Sequence, residues 1–138
     1  MSLEFPFEYA TIAGVGRLFY PIVYIELKTA FGWQEFAFLV DTGADITTVP
    51  AHILPVLGLH KSKLKMSYTL GVGGYSLTTW DFQLAIKIGK EKLLVAASAV
   101  DTKNDSVALL LGRKDIFEDK FNLLLDSKRK STIISKNS

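Results

Sequence analysis

Short apolar segments, separated by glycine and polar turns, run along most of the chain. Around Leu84, Ile86 and Ile88, apolar residues alternate with Ala85 and Lys87, which is the period-two pattern of a half-buried strand. Repeated along the sequence, such segments predict an all-β, barrel-like domain. The predicted hairpins join residues 18–28 to 33–41, 64–70 to 75–88, and 122–125 to 132–134, with one more strand at 93–100.

Two segments carry a helical pattern. Residues 51–57 are long enough for one or two helical turns and are followed by Gly58, a common residue at helix ends. Residues 113–120 predict one short C-terminal helix, with Ile116 and Phe117 inward and acidic residues outward. We interpret residues 1–17 as an N-terminal lead segment and residues 18–138 as the folded domain.

Composition narrows the possible functions. The chain has 138 residues, of which 49% are hydrophobic and 22% charged, as in an ordered globular domain. A net charge of +2 gives no reason to expect nucleic-acid or membrane binding. The absence of cysteine excludes disulfides and thiolate chemistry, and His52 and His60 show no metal-ligand spacing, so we expect no metal or cofactor. Without a signal-peptide or membrane-spanning pattern, we expect a soluble, cytoplasmic protein.

A carboxylate closes one unbroken apolar segment. Residues 36–40 are all apolar and predict a strand buried on both faces, and Asp41 comes directly after them. Thr42 adds a short hydroxyl, and Gly43 permits a tight turn and a close backbone approach to a ligand. The alternative is that Asp41 is an ordinary residue of a strand-ending turn.

Two further motifs follow at a distance. Residues 71–75, Gly-Val-Gly-Gly-Tyr, read as a glycine-rich hairpin tip, and residues 107–113 form a second apolar strand that closes on Gly112 and Arg113. A phosphate-binding loop at 71–75 is disfavoured because a third spaced glycine is missing and a strand-like segment follows. An inert hairpin turn remains open. In this order, from about residue 18 to about residue 126, the three motifs resemble those of a retropepsin-type aspartic protease.

The resemblance implies an all-β, retropepsin-like barrel that is closed by homodimerisation, and a role for each motif residue. It implies an aspartic-type endopeptidase in which residues 71–75 form a flap over an extended polypeptide substrate. The implied catalytic residues are Asp41, Thr42 and Gly43. The implied substrate-binding residues are Gly43, Asp45, Gly71, Val72, Gly73, Gly74 and Tyr75. The implied structural support of the site comes from Ala44, Gly112 and Arg113, with Arg113 holding the Asp45 carboxylate.

The second carboxylate of such a site has to come from another chain. The sequence contains one Asp-Thr-Gly, and its other Asp-Thr, at Asp101, is followed by Lys103 in place of glycine. A protein that carried both aspartates would be about twice as long. We therefore expect a homodimer in which two copies of Asp41 activate one water at the two-fold axis.

An alternative function stays open at this point. The same fold could serve as a non-catalytic dimeric peptide-binding or scaffolding module, and a domain that cleaves only its own parent chain is a weaker third possibility. The longer N-terminal lead and the C-terminal hairpin also differ from the short interleaved termini of viral enzymes. Either the dimer interface is built differently, or the hairpin fills that role within each subunit.

Overall fold

The computed structural model describes residues 2–70, 76–101 and 108–137. These residues form twelve strands in three sheets, and two short 3₁₀ turns at Ala51–Ile53 and Lys61–Lys63. Among the described residues, no helix has the length and hydrophobicity needed to cross a bilayer. The strands are β1 (Ser2–Pro6), β2 (Glu8–Ile12), β3 (Gly16–Tyr20), β4 (Ile22–Thr29), β5 (Gly32–Val40), β6 (Thr47–Pro50), β7 (Lys65–Leu70), β8 (Ser76–Ile88), β9 (Glu91–Val100), β10 (Leu109–Leu111), β11 (Phe121–Asp126) and β12 (Ser131–Lys136).

A seven-stranded sheet forms the body of the protein. Its strand order is β4-β5-β10-β6-β9-β8-β7, and β4 also pairs with β8, which curls the sheet into a barrel. Alternate residues of β4, β5, β8 and β9 point into the barrel, so that Leu27, Phe38 and Ile86 are fully buried. The predicted all-β, barrel-like class is confirmed, and the three predicted hairpins are present with shifted ends.

The composition of the strand before Asp41 predicted burial on both faces, but the strand is buried on one face only. Phe38 is fully buried and Val40 nearly so, but Ala37 is exposed and Leu39 only half-buried. The reason is that β5 lies in a curved single-layer barrel, between β4 and β10, and only its inner face meets the core. Asp41 therefore stands where a half-buried strand reaches the edge of the core.

The prediction of a helix at residues 113–120 is also wrong. This segment is a series of hydrogen-bonded turns, in which the N–H groups of Ile116, Phe117 and Glu118 all donate to the Arg113 carbonyl. Asp115 has φ of 67°, a left-handed conformation that a right-handed helix cannot continue through. The Asp115 carboxylate accepts a hydrogen bond from Ala96 N at 2.9 Å, which fixes the turns against β9. Ile116 is fully buried, as predicted.

The two chain ends meet in a separate sheet with the order β1-β12-β11. Residues 2–6 pair antiparallel with residues 131–135, so the N-terminal lead and the C-terminal hairpin join within one chain. β2 and β3 form their own hairpin, attached through a stacked Phe7–Phe19 pair with ring centroids 4.1 Å apart. Pro21 separates β3 from β4 because it has no N–H to continue a ladder, and this splits the predicted strand at 18–28.

Candidate functional site

Asp41 lies where two strands end side by side. β5 and β10 are parallel, with Val40 opposite Leu111, and the Asp41 N–H donates to the Leu111 carbonyl at 3.0 Å. The next residue in each strand is therefore Asp41 on one side and Gly112 on the other. This pairing connects the Asp-Thr-Gly motif to the Gly-Arg motif.

The residues after Asp41 fold back onto it. The Gly43 N–H donates to Oδ1 of Asp41 at 3.0 Å, and the Ala44 N–H donates to the Asp41 carbonyl at 3.1 Å. Thr42 and Gly43 are exposed, whereas Asp41 is half-buried. The turn thus holds one carboxylate oxygen in place and leaves the carboxylate accessible from outside.

Backbone contacts join the loop that carries Asp41, residues 41–47, to a second loop, residues 112–114. We call them the two interlocked loops. The Arg113 N–H donates to the Ala44 carbonyl at 3.1 Å, and the Lys114 N–H donates to the Asp45 carbonyl at 2.9 Å. A Cβ on Gly112 would lie 2.5 Å from the carbonyl carbon of Ile46, so only glycine fits there. The absence of a side chain at residue 112 lets the two backbones touch.

The Arg113 side chain spans the same loop. Its Nη1 donates to the Thr42 carbonyl at 2.7 Å, and its Nη2 forms an ion pair with the Asp45 carboxylate. The Asp45 side chain is 83% exposed, so the pair adds little to global stability. Its effect is local, because one planar guanidinium fixes both ends of the turn that carries Asp41.

Thr47 makes a buried contact that the sequence did not indicate. Its Oγ1 accepts a hydrogen bond from the Gly112 N–H at 3.1 Å, and its side chain is fully buried. In the sequence, Thr47 is one of several β-branched residues after Asp45, and nothing distinguishes it from an ordinary strand residue. Its role depends on a partner 65 residues away.

We expect Thr47→Val to lower the free energy of unfolding by about 1–3 kcal/mol, because valine has a similar shape but leaves the Gly112 N–H buried without an acceptor. Urea denaturation of both proteins measures this difference. Thr48→Val is the matched control, since the half-buried Thr48 hydroxyl only donates to the nearby Ile46 carbonyl at 3.1 Å. Equal losses in the two variants would show that the Thr47–Gly112 contact is not special.

A groove begins beside the Asp41 turn. It has a volume of about 330 Å³ and lies between the loop after Asp41 and strands β8 and β9. Its lining combines aliphatic side chains with hydroxyl groups. The residues that line it are Ala44, Asp45, Ile46, Thr48, Leu77, Thr79, Ser98 and Val100.

The structure brings together most of the residues that the sequence singled out. Those that lie within the two interlocked loops are Asp41, Thr42, Gly43, Ala44, Asp45, Gly112 and Arg113. The predicted flap residues, Gly71 to Tyr75, lie outside the described residues, although β7 and β8 on either side of them are paired. Within the described ranges, no three histidine, aspartate or glutamate side chains are grouped so as to hold a metal ion.

Comparison with known proteins gives one family and several similar structures. The sequence model of a family described as aspartyl protease matches residues 27–114. A retropepsin-like aspartic protease from Rickettsia conorii is 21% identical, with a TM-score of 0.62, over 97% of this chain and 92% of that one. The EIAV protease complexed with the inhibitor HBY-793 is 20% identical, with a TM-score of 0.53, over 75% of this chain and 88% of that one.

A third similar structure is the retroviral protease-like domain of Ddi1 from Leishmania major. It is 11% identical, with a TM-score of 0.55, over 86% of this chain and 95% of that one. No curated protein matches this chain in sequence. These structures confirm the retropepsin-like fold, and the family match covers most of the barrel together with both interlocked loops.

Proposed function

The chain belongs to the aspartyl protease family, and we propose that it is an endopeptidase whose active site forms between two copies of the chain. Each copy contributes one Asp41. The observation that carries this proposal is the Asp41 carboxylate, held by the Gly43 N–H and left accessible where the two interlocked loops meet. One chain supplies half of the required pair of carboxylates.

Two such carboxylates in a poorly solvated site share one proton, because two like charges side by side are unfavourable. The ionised member takes a proton from a water molecule as the water oxygen attacks the peptide carbonyl carbon. The protonated member gives its proton to the carbonyl oxygen, which produces a neutral tetrahedral diol. As the C–N bond breaks, the pair donates a proton to the leaving nitrogen and takes one back from a diol hydroxyl. The pair therefore ends with the single proton it started with.

The substrate path follows from the groove next to Asp41. An extended peptide lying along β8 passes Leu77 and Thr79 on one side and Ala44 and Asp45 on the other. Backbone groups of Gly43 and of residues 71–75 would bond to the peptide backbone, as in strand addition. Arg113 would act as a positioning residue, because its guanidinium bonds to the Thr42 carbonyl and the Asp45 carboxylate and so holds the turn.

Exposed apolar side chains beside Asp41 support the proposal that a second copy of the chain packs against this surface. The hairpin of β2 and β3 leads into Pro21, whose carbonyl accepts a hydrogen bond from Val40, the residue before Asp41. This hairpin exposes Tyr9, Leu18 and Phe19. If two Asp41 residues meet, the neighbouring hairpin comes close to the same axis, where a second subunit would cover those side chains. In the terminal sheet, β1, β12 and β11 already pair with one another within one chain, so we propose an interface that does not depend on interleaved termini.

We expect cleavage of a diverse peptide pool at pH values from about 4 to 7, with a rate that rises with the square of enzyme concentration in the dilute range. The square follows because two chains must associate to form one site. Product analysis by mass spectrometry over an enzyme dilution series measures it. Sedimentation over the same concentrations provides the fraction of dimer.

Two outcomes would contradict the proposal. A rate that stays linear in enzyme concentration across the monomer–dimer transition would show that one chain suffices. An absence of products, at concentrations where sedimentation shows a dimer, would favour the non-catalytic peptide-binding module.

A further inference from the structure

A second cleft continues from the groove beside Asp41. It has a volume of about 310 Å³ and shares Ile46 and Ser98 with that groove. From there it extends along β8 to Asp81, with Lys65 and Gln83 also in its lining. We call it the Asp81 cleft, because Asp81 is its one carboxylate.

Asp81 is held in the sheet by two hydroxyl groups. Ser67 Oγ, on β7, donates to Oδ2 at 2.8 Å, and Ser98 Oγ, on β9, donates to Oδ1 at 2.9 Å. The side chain is half-buried. A carboxylate has about four acceptor positions, so two remain after these contacts. The serines therefore fix the direction of the carboxylate without using up its capacity for hydrogen bonds.

The charge of Asp81 has no partner within the part of the chain that the structure describes. The ion pairs there involve other carboxylates, those of Glu4, Glu26, Asp45, Glu91 and Asp101. Lys65 stands directly opposite Asp81 in the β7–β8 register and lines the cleft, yet its ammonium group makes no ion pair with Asp81. Serine hydroxyls satisfy the hydrogen bonds of a carboxylate but leave its charge uncompensated.

The spacing of the two clefts suits an extended peptide. Thr79 lines the groove, and Asp81 lines the Asp81 cleft. Residues two apart on a strand face the same side, and about 6.6 Å of strand length separates them. Alternate side chains of an extended peptide lie at the same interval. A peptide with one side chain in the groove can therefore place the side chain two residues further along at Asp81.

We propose that the Asp81 cleft binds a lysine or arginine side chain of the substrate peptide. This inference rests on the proposed function only in that it takes the groove as the peptide path. The cationic group would donate to the free acceptor positions of Asp81, and its aliphatic stem would lie against Ile46. The substrate class is then an extended peptide with a basic residue near the scissile bond.

The test separates binding from turnover. Peptides from a positional pool are bound to the Asp41→Asn protein, which cannot cleave them, and their dissociation constants are compared with those for the Asp41→Asn, Asp81→Asn double variant. We expect lysine and arginine to be favoured over methionine about tenfold at one position, and this preference to disappear in the double variant. Asparagine has the shape of aspartate and can still bond to Ser67 and Ser98, so the fold is retained.

Lys65→Met, made in the same Asp41→Asn background, is a second variant that acts in the opposite direction. It removes the one cation that lines the cleft, so the preference for a basic side chain should increase. Four results would overturn the inference: no basic preference at any position, a preference unchanged by Asp81→Asn, a preference weakened by Lys65→Met, or no peptide binding at all. A basic preference without cleavage by the native chain would keep the inference and contradict the proposed function.

Discussion

Replacing Asp41 by asparagine should lower kcat/KM for peptide cleavage by about 10³-fold or more. In a homodimer the substitution removes both carboxylates, so neither the base that activates water nor the acid that protonates the carbonyl remains. Global stability should change little, because Asp41 is only half-buried and asparagine can still accept the bond from the Gly43 N–H. The measurement is kcat/KM on one identified peptide, together with thermal unfolding of both proteins.

The chain offers a matched control in its other Asp-Thr pair. Asp101 lies on the surface, where it pairs with Lys61 at 2.7 Å, and Asp101→Asn should leave kcat/KM within about twofold of the native value. Adding an excess of the Asp41→Asn chain to the native protein should also inhibit it, since mixed dimers contain one carboxylate. An Asp41→Asn protein that keeps native activity would remove Asp41 from the mechanism.

Gly112→Ala should lower the free energy of unfolding by about 3 kcal/mol or more, through steric overlap in a packed interior. The added Cβ would lie 2.5 Å from the Ile46 carbonyl carbon, 2.8 Å from its oxygen and 2.8 Å from Thr47 N, all of them backbone atoms. Backbone atoms cannot rotate away as the end of a side chain can, so the two interlocked loops must separate. Urea denaturation, with thermal unfolding as a second probe, measures the loss.

Gly43→Ala serves as the control for stability. Its Cβ would meet one atom, Oδ1 of Asp41, at 3.3 Å, and that atom belongs to a side chain that can shift. We expect a change in the free energy of unfolding below about 1 kcal/mol. If both alanine variants were equally stable, the close approach of the two loops at Gly112 would not be a structural requirement.

The local patterns in the sequence predicted the hairpins β4–β5, β7–β8 and β11–β12 and strand β9, because the alternation of apolar and polar residues can be read from adjacent positions. They did not predict β1 and β2, which lie in the segment interpreted as an N-terminal lead. They failed where a contact with another element decided the outcome. Asp115 adopts a left-handed conformation and bonds to Ala96 on β9, so residues 113–120 form turns although their pattern is helical. Ala37 lies in an all-apolar segment yet is exposed, because the barrel has one inner face.

The candidate site also contains residues that the sequence predicted and residues that it did not. The Asp41 turn could be predicted because Asp, Thr and Gly stand next to one another and bond locally, over two residues. The flap at residues 71–75 stays a prediction. Asp81 carried no signal in the sequence, since its serine partners are 14 and 17 residues away and reach it only through strand pairing.

By itself, the sequence determined the all-β class, the resemblance to retropepsins and the residues that surround Asp41, because these depend on short-range pattern and on an unusual order of motifs. The resemblance already implied the pair of Arg113 with Asp45, 68 residues away. Only the tertiary structure decided that Arg113 also braces Thr42, 71 residues away, and that Thr47 supports Gly112. The physical reason is the parallel register of β5 and β10. That pairing sets Val40 opposite Leu111, and a shift of one residue would move every one of these contacts.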